Sequence, residues 1–254
     1  MKNKEIKKAV KKRYGGLARQ EQQEQSCCPS CCGSASSMLQ SKGIGYAKED
    51  LERIPEESVL GLGCGNPIAI AELKPGEVVL DLGSGAGVDV FLAAKRVGPA
   101  GRVIGVDMTG EMVDKATKIA ADYGYDNVEF RLGEIERLPV EDNSVNAIIS
   151  NCVINLSTDK SRVFREAYRV LKPGGRITVS DIVSERVIPD EMKNDADSWT
   201  GCIAGALEKQ EYLGKISKAG FADVQILSSR EFYVENRATQ TQEKLFSITA
   251  KAYK

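Results

Sequence analysis

Between residues 59 and 183 the chain alternates short Val/Ile-rich runs with amphipathic stretches. Five runs read as strands: 77–82, 102–107, 128–132, 145–150 and 176–181. They are apolar at successive positions, as parallel strands buried on both faces should be. Residues 88–97 read as a helix, and so do residues 159–171, where Val163, Phe164, Ala167 and Leu171 recur at helical spacing. Lys172-Pro173-Gly174-Gly175 then breaks that helix. Strands alternating with helices predict an α/β fold with a doubly wound, mostly parallel sheet. Beyond it, helices are expected at 190–207 and 209–219, followed by strands at 223–227 and 244–251 that form a carboxy-terminal hairpin with an antiparallel strand. Residues 1–58 are polar, with a basic helical start, a Gln/Glu run and a cysteine cluster. The texture divides the chain into 1–58, 59–183 and 184–254.

Composition narrows the chemistry. The 254 residues include no histidine. That removes the commonest general base near neutral pH, and with it Ser–His triads, Cys–His dyads and His-bearing zinc sites. Carboxylates, thiolates, tyrosines or a cofactor must carry any reaction. Thirty-five Lys and Arg balance 36 Asp and Glu, for a net charge of −1. Such a balance argues against a nucleic-acid partner bound by phosphate neutralisation. The first 13 residues hold six Lys and one Arg, read as the solvated face of a helix. Tyr14-Gly15-Gly16 follows instead of the apolar core of a signal peptide, and no run approaches the ~20 apolar residues of a membrane span. These features predict a cytoplasmic protein with no membrane partner. Seven cysteines are an odd number, which argues for working or buried thiols and against a disulfide framework.

The most informative stretch is Val78-Val79-Leu80-Asp81-Leu82-Gly83-Ser84-Gly85-Ala86-Gly87. A strand runs into a glycine-rich turn that lets backbone approach a ligand before the next helix begins. Val88 stands where a dinucleotide fingerprint has its last glycine, so the spacing disfavours NAD and FAD. Asp107 ends the second strand, where a carboxylate can accept hydrogen bonds from ribose hydroxyls. The competing reading is a tight strand–helix connection that binds nothing. Asp81 before the glycines and Asp107 after the next strand weigh against it.

This loop, Gly105-Val106-Asp107 and the later Leu171-Lys172-Pro173-Gly174-Gly175 together resemble the S-adenosylmethionine-dependent methyltransferases with a Rossmann-like core. The resemblance implies cofactor contacts at Asp81, Gly83, Ser84, Gly85, Gly87, Asp107 and Met108. It also implies contacts at Glu134 and Ile135 beside the adenine, and at Asn151. Acidic residues suit a cofactor that is a sulfonium cation.

Three cysteines sit in unusual surroundings. Cys64 lies in Gly61-Leu62-Gly63-Cys64-Gly65-Asn66-Pro67, and Cys202 follows Gly201 in a run of small residues. Cys152, in Ser150-Asn151-Cys152-Val153-Ile154-Asn155-Leu156, ends the fourth strand, the end that faces the ligand crevice in open α/β sheets. Taken singly, each could be a buried structural cysteine. Together, and in this order, they resemble the arsenite methyltransferases over roughly residues 60–228, with a looser match around Cys31-Cys32-Gly33. The resemblance implies methyl transfer to trivalent arsenic held by Cys152 and Cys202, as part of arsenic detoxification. Cys64 and an amino-terminal cysteine, Cys31 or Cys32, complete the thiol set and can form a disulfide during turnover. Arsenite or its thiol conjugates are then the acceptor, and thioredoxin or glutathione is the reductant.

The chemistry agrees: trivalent arsenic is soft, prefers thiolates and attacks through a lone pair that carries no proton. Cys28-Pro29-Ser30-Cys31 also has the spacing of a zinc half-site, but the sequence lacks a well-separated second pair. A small-molecule or quinone C/O-methyltransferase explains the core but leaves the three placed cysteines unused. An adenine-N6 nucleic-acid enzyme lacks its Asn/Asp-Pro-Pro-aromatic motif, because Asn151-Cys152-Val153-Ile154 stands there. A non-catalytic metalloid-binding protein has no need of the glycine loop.

Overall fold

The computed structural model describes residues 3–19, 37–236 and 241–254. The Gln/Glu run and Cys27, Cys28, Cys31 and Cys32 lie outside the described residues. The helices and strands follow in the order α1 (Asn3–Arg19), α2 (Ser37–Gly43), α3 (Lys48–Leu51), β1 (Val78–Leu82), α4 (Val88–Val97), β2 (Arg102–Asp107), α5 (Gly110–Asp122), β3 (Val128–Leu132) and β4 (Val145–Asn151). After them come α6 (Lys160–Val170), β5 (Leu171–Ser184), α7 (Asp190–Lys193), α8 (Ala196–Thr200), α9 (Lys209–Lys218), β6 (Ala222–Asn236) and β7 (Thr241–Tyr253).

Seven strands form one sheet in the order β3-β2-β1-β4-β5-β7-β6. β1 pairs in parallel with both β2 and β4, β2 with β3, and β4 with β5, while β7 runs antiparallel to β5 and β6. This is the expected α/β doubly wound sheet with its antiparallel carboxy-terminal strand. The chain order reverses at β1 and β4, so a crevice opens at their carboxyl ends, the switch point where such sheets bind ligands.

Apolar side chains fill both faces. One layer joins Leu80, Ile148 and Ile177 to Val163, Phe164, Ala167 and Val170 of α6 and to Tyr212 and Ile216 of α9. Asp159 starts α6 by accepting the Arg162 N–H at 2.9 Å. The opposite layer joins Val79, Val103 and Ile149 to α4, whose Val90, Phe91, Ala93, Ala94 and Val97 are all buried. A third, smaller cluster lies at the carboxyl ends of β4 and β5 and gathers Ile6 and Val10 of α1 with Cys64, Cys202 and Met192.

Three local expectations change. The breaker 172–175 becomes an irregular entry into β5, with a register shift between Val145 and Ala147 of the partner strand and Gly174 at φ 77°. The single helix expected at 190–207 divides into α7 and α8, because Asp195 accepts the Ser198 N–H at 2.8 Å and starts a new helix. That second helix ends at Gly201, and Cys202 takes a left-handed φ of 64°, which no helix continues through. The basic start is helical and leaves Lys4, Lys8, Lys11 and Lys12 exposed, but Lys7 is half-buried and pairs with Glu134.

Candidate active site

A cavity of about 260 Å³ opens at the carboxyl ends of β1 and β4. Its wall includes Asp81, Gly83, Ser84, Gly85, Asp107, Met108, Ile135 and Asn151, eight of the ten residues expected to hold a cofactor. Gly87 instead turns the chain into α4 at φ 99°. An added Cβ there would meet Phe91 at 2.8 Å and Phe130 at 2.9 Å, so this glycine serves packing behind the loop. Glu134 stands outside the lining, with its carboxylate 2.7 Å from Lys7.

The loop geometry follows from the strand register. Gly83 and Ser84 donate their N–H groups to the Val106 carbonyl at 2.7 and 3.1 Å, tying the turn to β2. Asp107 accepts from Gly85 N at 3.0 Å and Thr109 N at 2.8 Å, so one carboxylate fixes both the glycine loop and the start of α5. Gly85 adopts φ 53° and has open space where a Cβ would stand, leaving room for a ligand.

Asp81 and Asp89 are 2 % and 3 % exposed and face the same cavity. Burial and the negative charge of Asp89 and Asp107 hold the Asp81 carboxyl well above the usual range. Burial raises Asp89 to about 6 against the hydrogen bonds it accepts from Tyr46 and Asn151. Neither carboxylate has a cationic partner among the described residues. A buried acidic pair with no cationic partner of its own suits a positively charged ligand, so the residues present fit S-adenosylmethionine.

The thiols meet at the other end of the same cavity. Cys64, Cys152 and Cys202 all line it and are free. The Cys64 and Cys152 sulfurs and an Asp181 carboxylate oxygen lie within 4.8 Å of one another. The Cys202 thiol donates to the Cys152 carbonyl at 2.9 Å. Among the described residues five non-glycines have positive φ, and Cys152 at 59° and Cys202 at 64° are two of them. For such residues this backbone costs on the order of 1–3 kcal/mol and marks sites where surrounding structure imposes the geometry. The Cys152 N–H is held by the Ser180 carbonyl at 2.8 Å, and Asn155 donates to the Cys202 carbonyl at 3.3 Å.

Hydrogen bonds with Cys202 and Cys64, reinforced by burial, push the Cys152 thiol well above its ordinary value. The Cys152 contact lowers Cys64, but burial and the charges of Asp181 and Cys202 leave that thiol raised as well. Both thiols therefore stay protonated near neutral pH. Behind them Asp181 is fully buried, raised to about 7 by burial, and accepts the Tyr212 hydroxyl at 3.0 Å.

A family model for a methyltransferase domain matches residues 73–220. The chain is 37 % identical to the solved structure of an arsenic (III) S-adenosylmethionine methyltransferase from Chlamydomonas reinhardtii. That match has a TM-score of 0.69 and covers 86 % of this chain and 73 % of that one. The chain belongs to the arsenite methyltransferase family. An arsenite methyltransferase from Halobacterium salinarum is 48 % identical over 237 residues, 89 % of this chain and 60 % of that protein. The human arsenite methyltransferase is 36 % identical over 202 residues, 76 % of this chain and 53 % of that protein. The chain thus spans less than two thirds of the length of these two relatives.

Sequence reasoning toward the family missed several residues of the cavity. Lys7, Val10, Arg13 and Tyr14 of α1 line it, as do Asp89, Glu136 and Thr200. Arg13 donates to the Thr200 hydroxyl at 3.0 Å, and Tyr14 packs in the cluster that holds Cys64, Cys152 and Cys202. The lysine-rich composition of α1 obscures the apolar pair Ile6 and Val10, which is buried and spaced one helical turn apart. Among the described residues no helix is long and apolar enough to cross a membrane.

Proposed function

We propose that this protein transfers a methyl group from S-adenosylmethionine to trivalent arsenic held by Cys152 and Cys202, with Cys64 as the third thiol. The observation that carries this reading is the convergence of three free thiols at one end of a cavity whose other end is a glycine loop ringed by carboxylates.

Arsenite near neutral pH is the uncharged trihydroxide. Each thiol that binds it gives its proton to a departing hydroxide, which leaves as water, so three thiols and one arsenite yield the trithiolate and three waters. The raised thiols of Cys64 and Cys152 are therefore no obstacle, because the acceptor carries its own bases. Bound S-adenosylmethionine supplies a methyl group on positively charged sulfur and leaves as the neutral thioether. Asp81, Gly83, Ser84, Gly85, Asp107, Met108, Ile135 and Asn151 hold it, with Asp107 suited to its ribose and Asp81 to its positive charge. The left-handed backbone at Cys152 and Cys202 fixes the arsenic, whose lone pair needs no base. Catalysis is thus positioning and thiolate supply. The methylated arsenic(V) returns to arsenic(III) when the Cys31 or Cys32 thiol attacks the Cys64 sulfur: the Cys64–arsenic bond breaks with its electron pair left on arsenic, the attacking thiol gives up its proton, and thioredoxin or glutathione then reduces the disulfide. Arsenic detoxification in the cytoplasm is the biological role this chemistry fits.

Purified protein, labelled S-adenosylmethionine, arsenite and a thiol reductant test the reading directly. Labelled methylarsenicals are the expected products, and their absence while the protein binds both ligands refutes it.

A further inference from the structure

Asn151 stands where the two halves of the cavity meet. Its side-chain oxygen accepts the Cys64 N–H at 3.1 Å, and its side-chain nitrogen donates to the Gly65 carbonyl at 2.8 Å. One amide therefore grips the thiol loop on both sides of Cys64. The loop packs closely against it: a Cβ on Gly63 would come within 2.9 Å of the Asn151 nitrogen. The same nitrogen donates to the Tyr46 hydroxyl oxygen at 2.8 Å and lies 3.4 Å from Asp89 Oδ2. Tyr46 in turn donates its hydroxyl to Asp89 Oδ1 at 2.7 Å, which closes a ring of three side chains. Tyr46 is 4 % exposed and Asp89 is 3 % exposed, so bulk water does not compete for these bonds. Asp89 and Asn151 line the cavity, whereas Tyr46 sits behind them and completes the ring.

We propose that Asn151, oriented by Tyr46 and Asp89, is a positioning residue that fastens the Cys64 loop when a cation fills the cavity beside Asp81 and Asp89. The inference rests on the reading of the cavity as a site for cationic S-adenosylmethionine. In the free protein burial disfavours the charged form of Asp89, which weakens it as an acceptor. A positive charge between them favours the ionised form, and hydrogen bonds to an ionised acceptor are roughly twice as strong as neutral ones. A firmer Tyr46–Asp89 bond polarises the phenol, making its oxygen a better acceptor for Asn151. The amide is then locked with its oxygen on Cys64 N and its nitrogen on the Gly65 carbonyl. The third thiol is thereby set in place after the methyl donor has bound. No rigid-body closure is needed, because Asn151 also continues from β4 into Cys152 and so touches both thiol segments.

The test follows the alkylation of Cys64 by iodoacetamide, read by peptide mass spectrometry with and without saturating S-adenosylmethionine and no arsenic. Calorimetry on the same samples reports cofactor binding. In the wild type the cofactor slows Cys64 alkylation about tenfold, the factor that one buried hydrogen bond supplies. In Tyr46→Phe, which keeps the ring and removes the hydroxyl, protection falls below about twofold while the cofactor dissociation constant stays within about threefold. Asn151→Ala raises Cys64 alkylation in the free protein and is insensitive to the cofactor. Retained protection in Tyr46→Phe overturns the proposal, and so does a wild type that binds cofactor yet leaves Cys64 unprotected. Failure to bind S-adenosylmethionine at all would instead strike the functional reading beneath it.

Discussion

The two halves of the cavity are built by opposite strategies. The half proposed for the cofactor comes from one contiguous stretch, β1, the glycine loop and the start of α4, joined by Asp107 at the end of the adjacent strand. The thiol half is assembled from three segments distant in sequence, and its cysteines face one another only through the fold. In the first half, strain falls on glycines that bear it at no steric cost: Gly83, Gly85 and Gly87 all have positive φ. In the second, two cysteines adopt the same region and must be held there. A contiguous motif is suited to a cofactor common to many reactions, whereas a site drawn from separate loops can be specific to one acceptor.

Substitutions should separate the halves, and the largest effect is expected from the strained thiols. Cys152→Ser and Cys202→Ser each lower arsenite methylation by at least ~100-fold, because a hydroxyl is a poor ligand for a soft ion, while cofactor affinity stays unchanged. Product analysis beside cofactor titration checks this, and a parallel loss of both would merge the halves. In the other direction, Asp107→Ala weakens cofactor binding by about 10- to 100-fold, since the Gly85 and Thr109 N–H groups lose their acceptor, yet arsenite still binds to the thiols.

Cys64→Ser sharpens the comparison within the thiol half. The variant is expected to lose about tenfold or more on arsenite and less on an already methylated acceptor, which needs one thiol fewer. Equal losses on both acceptors would remove the third-thiol role. Asp81→Asn trades function for stability: it removes a buried acid whose charged form burial and the Asp89 and Asp107 charges disfavour, so the melting temperature of the free protein rises while the cofactor binds more weakly.

The pH dependence has the same origin. Asp89 is raised from 3.8 to about 6, so its contribution to stability is full below 3.8 and is lost as pH rises through 6. Asp89→Asn should flatten that part of the stability curve, which thermal melts of the free protein between pH 4 and 7 can follow. Lys7→Ala is the smallest effect, ~0.5 kcal/mol or less in thermal melts, because its pairs with Glu134 and Glu136 are partly solvated.

Legibility followed sequence distance. Strands 102–107 and 128–132 and the helix 88–97 coincide with the observed elements, because buried parallel strands and their helices announce themselves by local pattern. The glycine loop and Asp107 were equally plain, since their spacing is set by one strand–turn–helix unit. Tyr46, by contrast, lies 105 residues from Asn151, and its apolar neighbours give no sign that its hydroxyl has a partner. Asp89 looks like an ordinary acidic residue in the first turn of a helix, yet it is buried in the cavity wall. The helix expected at 190–207 failed because Asp195 caps a new helix and Cys202 turns left-handed, a competition that apolar spacing does not register.

The sequence by itself determined the doubly wound sheet, the absence of histidine chemistry and the glycine loop with its carboxylates, because each is written in composition or in neighbouring residues. Only the tertiary structure decided which thiols meet, that α1 forms part of the cavity wall, and that Tyr46 and Asp89 reach Asn151. Those facts depend on contacts between residues far apart along the chain, and such contacts are fixed by packing around the sheet, which leaves no local periodicity to read.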